Sequence, residues 1–517
     1  MPLQLEINDE FAQAVDLIEN SRRHLFITGK AGTGKSTLLD YCYNHSQKNL
    51  VLLAPTGVAA LNVKGQTIHR FFGFPVNISV PQIENKEFKP RAVRIFKSLE
   101  AVVIDEASML RADLLDCIDA FLRLYGPEKD KPFGGVQMIF VGDLYQLPPV
   151  VNSHEYEFFD RNYGSPYFFS AEVFKKIPLQ VIELKKVYRQ KDKDFIDLLN
   201  HIRNNKITRE DLSRLNSRVG AGLGGGAENF RISLTTTNKL ADEINEQCLD
   251  ELDGAVYTAE AEIDGDFGKE TWPTAKELNF KIGAQIMFLN NDSKNRWVNG
   301  SVGHIVGFKE RDGRIRYLEV RLQQGQRLVA VFPFTWEMFK YKLEGREIIS
   351  ESVGSFTQYP FKLAWAVTIH KSQGKTFDNV EIDIGSGTFA TGQLYVALSR
   401  CTSFEGISLK KAVLARHILT DHRINEFMSR YSDDVELADF SKRKMLEQAV
   451  KAQSAVEIIY RKEDGKRYRR LIVPQKILSD RLLAMCLERK APRTFLLERI
   501  LNVRSHTMPS QENPHKN

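Results

Sequence analysis

The stretch GKAGTGKST, residues 29–37, constrains this chain more than any other. It fits the pattern G-x-x-x-x-G-K-[ST], in which glycines let successive backbone N–H groups converge on a phosphate group. Gly29, Ala31, Gly32, Thr33, Gly34, Lys35, Ser36 and Thr37 are therefore the expected nucleotide cradle. Lys35 is expected to reach the outer phosphates and the Ser36 hydroxyl to hold Mg²⁺. The context suits the mechanism: the apolar run Leu25-Phe26-Ile27-Thr28 reads as a strand before the loop, and a helix is predicted over 36–43. The expected ligands of this loop are a nucleoside triphosphate and Mg²⁺.

At 517 residues the chain has room for roughly three or four domains. Hydrophobic residues at 42% and charged residues at 27% are ordinary for globular proteins, which argues against disordered and fibrous classes. No apolar run reaches the ~18 residues of a membrane span. The N-terminal MPLQLEINDEF is acidic and has no apolar signal core, so a cytoplasmic protein with no membrane partner is expected. Five scattered cysteines, with no C-x-x-C pair, argue against disulfides and zinc. Net charge is only +6, but residues 442–517 carry 18 Lys/Arg against 8 Asp/Glu, leaving the rest of the chain at −4. A basic C-terminal module reads as either a solvated face or a nucleic-acid surface.

Beyond the loop, apolar runs at 50–54, 101–104 and 136–141 read as buried parallel strands, because they do not alternate with polar residues. The second is followed by Asp105 and Glu106, an acidic pair at the strand end where ligands of α/β sheets sit. Asp105 is the expected metal ligand and Glu106 the base that activates water. Gln146, in GDLYQLPPV, is a candidate γ-phosphate sensor, since an amide can both donate to phosphate and orient water. These elements make a first α/β lobe over 1–178, with a small insertion about 73–97. A second α/β unit without a phosphate loop is expected over 179–281 and 359–430, the latter reopening with a strand over 362–369. Between them, residues 282–358 read as a small all-β insert with turns at Asp312-Gly313 and Gln324-Gly325. The glycine-rich run 220–226 reads as a flexible loop. With ATP between two lobes, Arg189 and Arg400 become candidates to stabilise transition-state charge, a role worth ~10³–10⁵ in rate.

Seven motifs in order closely resemble the petite integration frequency helicases, RecD-like members of helicase superfamily one. They are GKAGTGKST, residues 54–72, VVIDEASML, GDLYQLPPV, VYRQ, TIHKSQG and GQLYVALSR. The resemblance covers about residues 5–420. It implies an α/β fold of two RecA-like P-loop lobes with a small all-β barrel insert in the second, and ATP-driven 5′-to-3′ movement on single-stranded DNA. Tailed or forked duplexes and G-quadruplex DNA are the implied substrates, in genome maintenance, for a protein acting as a monomer. By position, Pro55, Thr56, Gly57, His69 and Phe72 of the first lobe would contact DNA. Asn238, His370, Lys371, Ser372 and Gln373 would do so from the second. Phe71, Phe72 and Phe74 suit either base stacking or core packing.

The chain departs from that family at one place: Phe11 stands where a glutamine often recognises adenine, and Gln4 has the wrong spacing to replace it. Residues 448–517 resemble WYL domains, a β-rich module, with Arg481-Leu482-Leu483 where Trp-Tyr-Leu is expected. Two other classes remain open. A small-molecule phosphotransferase needs no second lobe, and a nucleotide-switched DNA-binding regulator needs no unwinding.

Overall fold

The computed structural model describes residues 8–505 apart from 76, 88–89, 91–92, 191, 222–231, 295, 312–313, 386, 389, 432–434, 462–466 and 479. Gln4, the Asp312-Gly313 turn and most of the glycine run at 220–226 lie outside the described residues. The chain divides into two compact units, Met1–Thr420 and Asp421–Asn517.

Helix α1, Asp9–Asn20, opens the first unit, with the Asn8 side chain accepting from Phe11 N at 2.9 Å as its N-cap. Phe11, Ala14 and Ile18 face inward. Strands β1 (His24–Gly29), β2 (Leu50–Ala54), β3 (Gln66–Thr67), β4 (Ala101–Ile104), β5 (Gln137–Gly142) and β6 (Leu179–Leu184) form one parallel sheet, in the order β3-β2-β4-β5-β1-β6. Their unbroken apolar runs are what a sheet covered on both faces requires. β6 pairs with β1 along its full length, so the first sheet extends to Leu184 and does not end at 178. Hydrogen bonding to β1 overrides the break in pattern at Pro178.

The second parallel sheet has the order Ala366–Thr368, Ile232–Thr235, Val380–Asp383, Ile407–Leu409. The apolar stretch 362–369, expected as one strand, is two. Phe361–Leu363 pairs antiparallel with Gln285–Phe288 in the inserted five-stranded sheet, while Ala366–Thr368 pairs parallel with Ile232–Thr235. Only Ala364 and Trp365 join them: Ala364 N donates to Gln285 O at 3.0 Å, and Ser233 N donates to Trp365 O at 2.8 Å. Periodicity does not distinguish a buried antiparallel strand from a buried parallel one. The insert also carries a long hairpin, Phe334–Glu344 with Glu347–Gln358, missed as such in the sequence. It reaches the first lobe, where the Tyr341 hydroxyl accepts from Leu52 N at 2.9 Å.

Phe72, Phe74 and Phe96 are buried. Phe72 is 1% exposed, with ring centroids 5.0 Å from Phe71, 5.2 Å from Phe74, 5.8 Å from Phe96 and 5.4 Å from Phe121. Phe72 is thus a core residue and not a base-stacking one. The aromatic area it buries outweighs what an exposed ring would gain from a base.

In the second unit, five antiparallel strands run in the order Ala491–Leu496, Arg481–Cys486, Arg467–Ile477, Val456–Arg461, Ile500–Ser505. Leu446 and Ala449 of the helix Val435–Ala452 join the core of this sheet, so the module begins well before residue 448. Leu482 is fully buried within Arg481-Leu482-Leu483, while Arg469, Arg481, Arg489, Lys490 and Arg493 are exposed. Asp464-Gly465, part of the sequence that resembles WYL domains, lies outside the described residues.

Substituting Phe72→Ala should destabilise the protein by about 3–5 kcal/mol in urea denaturation. Phe72→Leu should cost less, and its affinity for a single-stranded oligonucleotide should stay within about twofold of wild type by fluorescence anisotropy; a large loss of affinity would return Phe72 to the DNA surface.

Candidate active site and nucleic-acid interface

β1 delivers the phosphate loop, and helix α2, Lys35–His45, leaves it. Gly34 caps α2 at φ 90°, ψ 15°, a left-handed conformation that a side chain disfavours. Gly32, at φ 80°, is packed so closely that a Cβ there would collide with Arg189 Cβ, and its carbonyl accepts from Tyr188 N at 2.8 Å. Lys35 Nζ donates to Gly29 O at 2.7 Å and Lys30 O at 3.1 Å, so its ammonium lies folded over its own loop. Burial lowers the Lys35 pKa, opposed by Asp143 and Glu106.

Asp105 and Glu106 follow β4. Burial and the neighbouring Glu106 push Asp105 up to about 7. Burial also raises Glu106, against the pull of Lys35 and Arg400 and the amide of Gln373. Glu106 sits at φ 50°, ψ 44°, the left-handed region, which costs a residue with a side chain roughly 1–2 kcal/mol. Two adjacent carboxylates withdrawn from water favour a cation, and a carboxylate with a hydroxyl, Asp105 with Ser36, suits a hard divalent ion. Among the described residues no cluster of three or more His, Cys, Asp or Glu could hold a metal, so phosphate and water oxygens would complete the shell.

After β5 comes Asp143, fully buried. It accepts from Arg203 Nη2 at 3.1 Å, Gln146 Nε2 at 3.3 Å and the Tyr395 hydroxyl at 3.3 Å. Burial works to raise its pKa, but Arg203 and Lys35 hold it below the usual carboxylate value. The Arg203 guanidinium also lies 4.0 Å from the Tyr145 ring centroid. This network orients the Gln146 amide on Asp143, whose charge also acts on Lys35.

The opposite wall comes from the helix Gln393–Leu398 and the residues after it. The Tyr395 hydroxyl accepts from the phosphate-loop amide Ala31 N at 3.2 Å. Arg400, 1% exposed, donates from Nε to Val396 O at 2.9 Å and from Nη2 to Ser399 Oγ at 3.0 Å. Burial lowers its pKa, with Tyr395 and Glu106 pulling it back. Arg189 has its backbone against the phosphate loop and reaches outward, donating to Ser399 O at 3.2 Å, beside Gln190, whose amide donates to Ser399 O and Cys401 O. Burial and Arg400 lower Arg189 to about 9. Lys35, Asp105, Glu106, Gln146 and Arg400 thus share one electrostatic environment, and Arg189 bridges its two walls. Asp143, Arg203 and Tyr395 were not singled out in the sequence. Asp143 could have been found as the polar end of β5, but no pattern marks a buried arginine inside the helix Lys193–Arg203.

Of the residues expected at DNA, Lys371 and Asn238 are exposed, the latter first in the helix Asn238–Glu251. Pro55, Thr56, Gly57, His69 and His370 are partly exposed. Burial and Arg111 lower the His69 pKa, and burial lowers that of His370, which favours the uncharged imidazole in both. Thr56 caps the helix Gly57–Asn62, accepting from Ala59 N at 3.3 Å. Two expectations change. Ser372 is fully buried and its hydroxyl donates to Ile369 O at 2.7 Å, so it shapes the turn instead of meeting DNA. Gln373 points into the cleft, where Nε2 donates to Glu106 Oε2 at 2.9 Å. Phe11 is 6% exposed and packs edge-to-face on Tyr41, which leaves no amide at that place for adenine.

Comparison with known proteins follows this geometry. A family model described as PIF1-like helicase matches residues 4–213. The ATP-dependent DNA helicase Pif1 of Bdellovibrio bacteriovorus is 31% identical over 440 residues, covering 83% of this chain and 94% of that relative. The chain belongs to the PIF1-like helicases. Human ATP-dependent DNA helicase PIF1 is 35% identical over 395 residues, 74% of this chain, and the match spans 57% of the human protein's length. The crystal structure of Pif1 from Bacteroides sp. in complex with ADP-AlF4 is similar at TM-score 0.76 and 36% identity, covering 83% of this chain and 97% of that one. Its unliganded form also gives 0.76, and its form bound to ssDNA gives 0.59. A WYL domain model matches residues 443–505.

Asp143→Ala would leave Arg203 buried without its carboxylate. It should lower stability by about 3–5 kcal/mol, read from the urea midpoint, whereas Asp143→Ala combined with Arg203→Met should recover part of that loss.

Proposed function

We propose that this chain is an ATP-dependent DNA helicase that moves 5′ to 3′ along single-stranded DNA and unwinds tailed or forked duplexes. The observation that carries this reading is the cleft itself: Lys35, Asp105, Glu106 and Gln146 come from the first parallel sheet, and Arg400 reaches their environment from the second. A phosphotransferase acting on a small molecule has no need of the second wall.

In this reading the backbone from Gly29 to Thr37 cradles the phosphates, and Lys35 exchanges the Gly29 and Lys30 carbonyls for phosphate oxygens. Ser36 and Asp105 would hold Mg²⁺, which when bound neutralises phosphate charge. Glu106 accepts a proton from the attacking water while Gln146 orients that water. Arg189 and Arg400 stabilise the charge that spreads over the transferring phosphoryl group. The nucleoside base has Tyr188 available, 44% exposed beside Gly34, so stacking replaces amide recognition. DNA lies across Pro55, Thr56, Gly57 and His69 on one lobe and Asn238, His370 and Lys371 on the other. Hydroxyl, amide, imidazole and ammonium groups there grip a backbone without reading sequence.

The C-terminal unit, with its exposed arginines, adds a second grip on single strands. The protein acts as a monomer at the nucleoid, with G-quadruplex DNA among its substrates. Among the described residues no helix is long and apolar enough to cross a membrane.

Strand displacement decides between this reading and a nucleotide-switched binding protein. Duplexes with a 5′ tail should be unwound and those with a 3′ tail should not, with activity lost in Lys35→Ala and in EDTA. ATP hydrolysis stimulated by DNA without strand separation would favour the switch. Removing residues 421–517 should weaken oligonucleotide binding while ATPase at saturating DNA persists; unchanged affinity would remove the C-terminal unit from the DNA path.

A further inference from the structure

The turn that follows the strand Ala366–Thr368 has two sides with different chemistry. On its outside, Lys371 is exposed and His370 is partly so. On its inside, Gln373 Nε2 donates to Glu106 Oε2 at 2.9 Å, and Lys375 O accepts from Arg400 Nη1 at 3.4 Å. One turn of chain therefore touches both the base and an arginine of the cleft while presenting a cation outward.

The turn is also stiff. Ser372 N donates to Thr368 O at 2.9 Å, Lys371 N to Thr368 Oγ1 at 3.2 Å, Gln373 N to His370 O at 3.2 Å and Lys375 N to Ser372 O at 3.0 Å. The buried Ser372 hydroxyl closes it onto Ile369 O at 2.7 Å. A segment braced by five such bonds moves as a body, so a displacement imposed at Lys371 appears at Gln373.

The partner of Gln373 is equally constrained. Glu106 stands at a left-handed backbone position two residues beyond the end of β4, a strained conformation held by its surroundings. An amide donor on one carboxylate oxygen fixes the group's orientation and engages a lone pair that would otherwise accept a proton from water.

We propose that Gln373 is a positioning residue that restrains Glu106 when DNA is absent and releases it when a DNA backbone draws on the outer side of the turn. The amide serves as the link between strand occupancy and hydrolysis, which keeps ATP from being consumed off DNA. The inference rests on Glu106 being the base and on residues 370–371 lying at the DNA. The protein's arrangement is equally similar to the unliganded and the ADP-AlF4-bound Bacteroides structures, both at TM-score 0.76, and less so to the ssDNA-bound form, at 0.59.

Steady-state ATP turnover of the full chain, with and without saturating oligo-dT, tests the proposal in Gln373→Ala and in the near-isosteric, uncharged Gln373→Met, which has no amide donor. Both should raise the DNA-free kcat by about tenfold, the effect of losing a hydrogen bond to a charged group. KM for ATP, the kcat at saturating DNA and the half-saturating oligo-dT concentration should each stay within about twofold. A DNA-free rate that is unchanged or lower overturns the proposal. So does a raised half-saturating oligo-dT concentration without that increase, since Gln373 would then be a DNA contact. Glu106→Gln checks the underlying reading separately: it should abolish turnover in both conditions, and surviving activity would overturn the assignment of the base and not the restraint alone.

Discussion

The pairing of Asp143 with Arg203 is the interaction on which the cleft depends. One comes from the end of β5 in the first sheet and the other from the helix Lys193–Arg203, and both are almost completely withdrawn from water. Such a pair gains little over a well-packed apolar one, because desolvation cancels much of the attraction. Its value lies in geometry. Asp143 also receives Gln146 and Tyr395, and Tyr395 accepts from the phosphate-loop amide of Ala31. A change at any of these groups alters the partners of the others, so the loop, the amide and the second wall respond together.

The same low-dielectric setting governs the charges of the cleft. Lys35, Arg189 and Arg400 all have lowered pKa values, and Asp105 and Glu106 have raised ones, with burial the leading cause for each. The cleft holds these charges at a cost that a bound triphosphate and its metal would relieve. This is how a site stores binding energy for a ligand rich in negative charge.

Much of this was legible in the sequence because phosphate chemistry restricts local geometry severely. The run from Gly29 to Thr37 and the acidic pair Asp105-Glu106 announce themselves by residue type at the end of an apolar strand. Contacts made across the fold left no such mark. Arg203 looks like any cation in an amphipathic helix, and Phe72 looks as suited to a base as to a core. Ser372 and Gln373 sit in a polar motif whose order says nothing about which side chain turns inward. The division of residues 361–368 between two sheets was hidden for a related reason: buried strands of either direction are apolar throughout, and only pairing separates them.

The two-residue junction at Ala364-Trp365 has a mechanical consequence. Each residue is bonded to a different body, Ala364 to the inserted sheet through Gln285 and Trp365 to the lobe sheet through Ser233. There is no slack between them. The strand Ala366–Thr368 therefore starts at the edge of the inserted sheet, and the turn carrying Lys371 and Gln373 begins at its far end. The inserted sheet is joined to its lobe here and again at Lys281, whose Nζ donates to Leu252 O at 2.7 Å just past the helix Asn238–Glu251, so its orientation is set at two places.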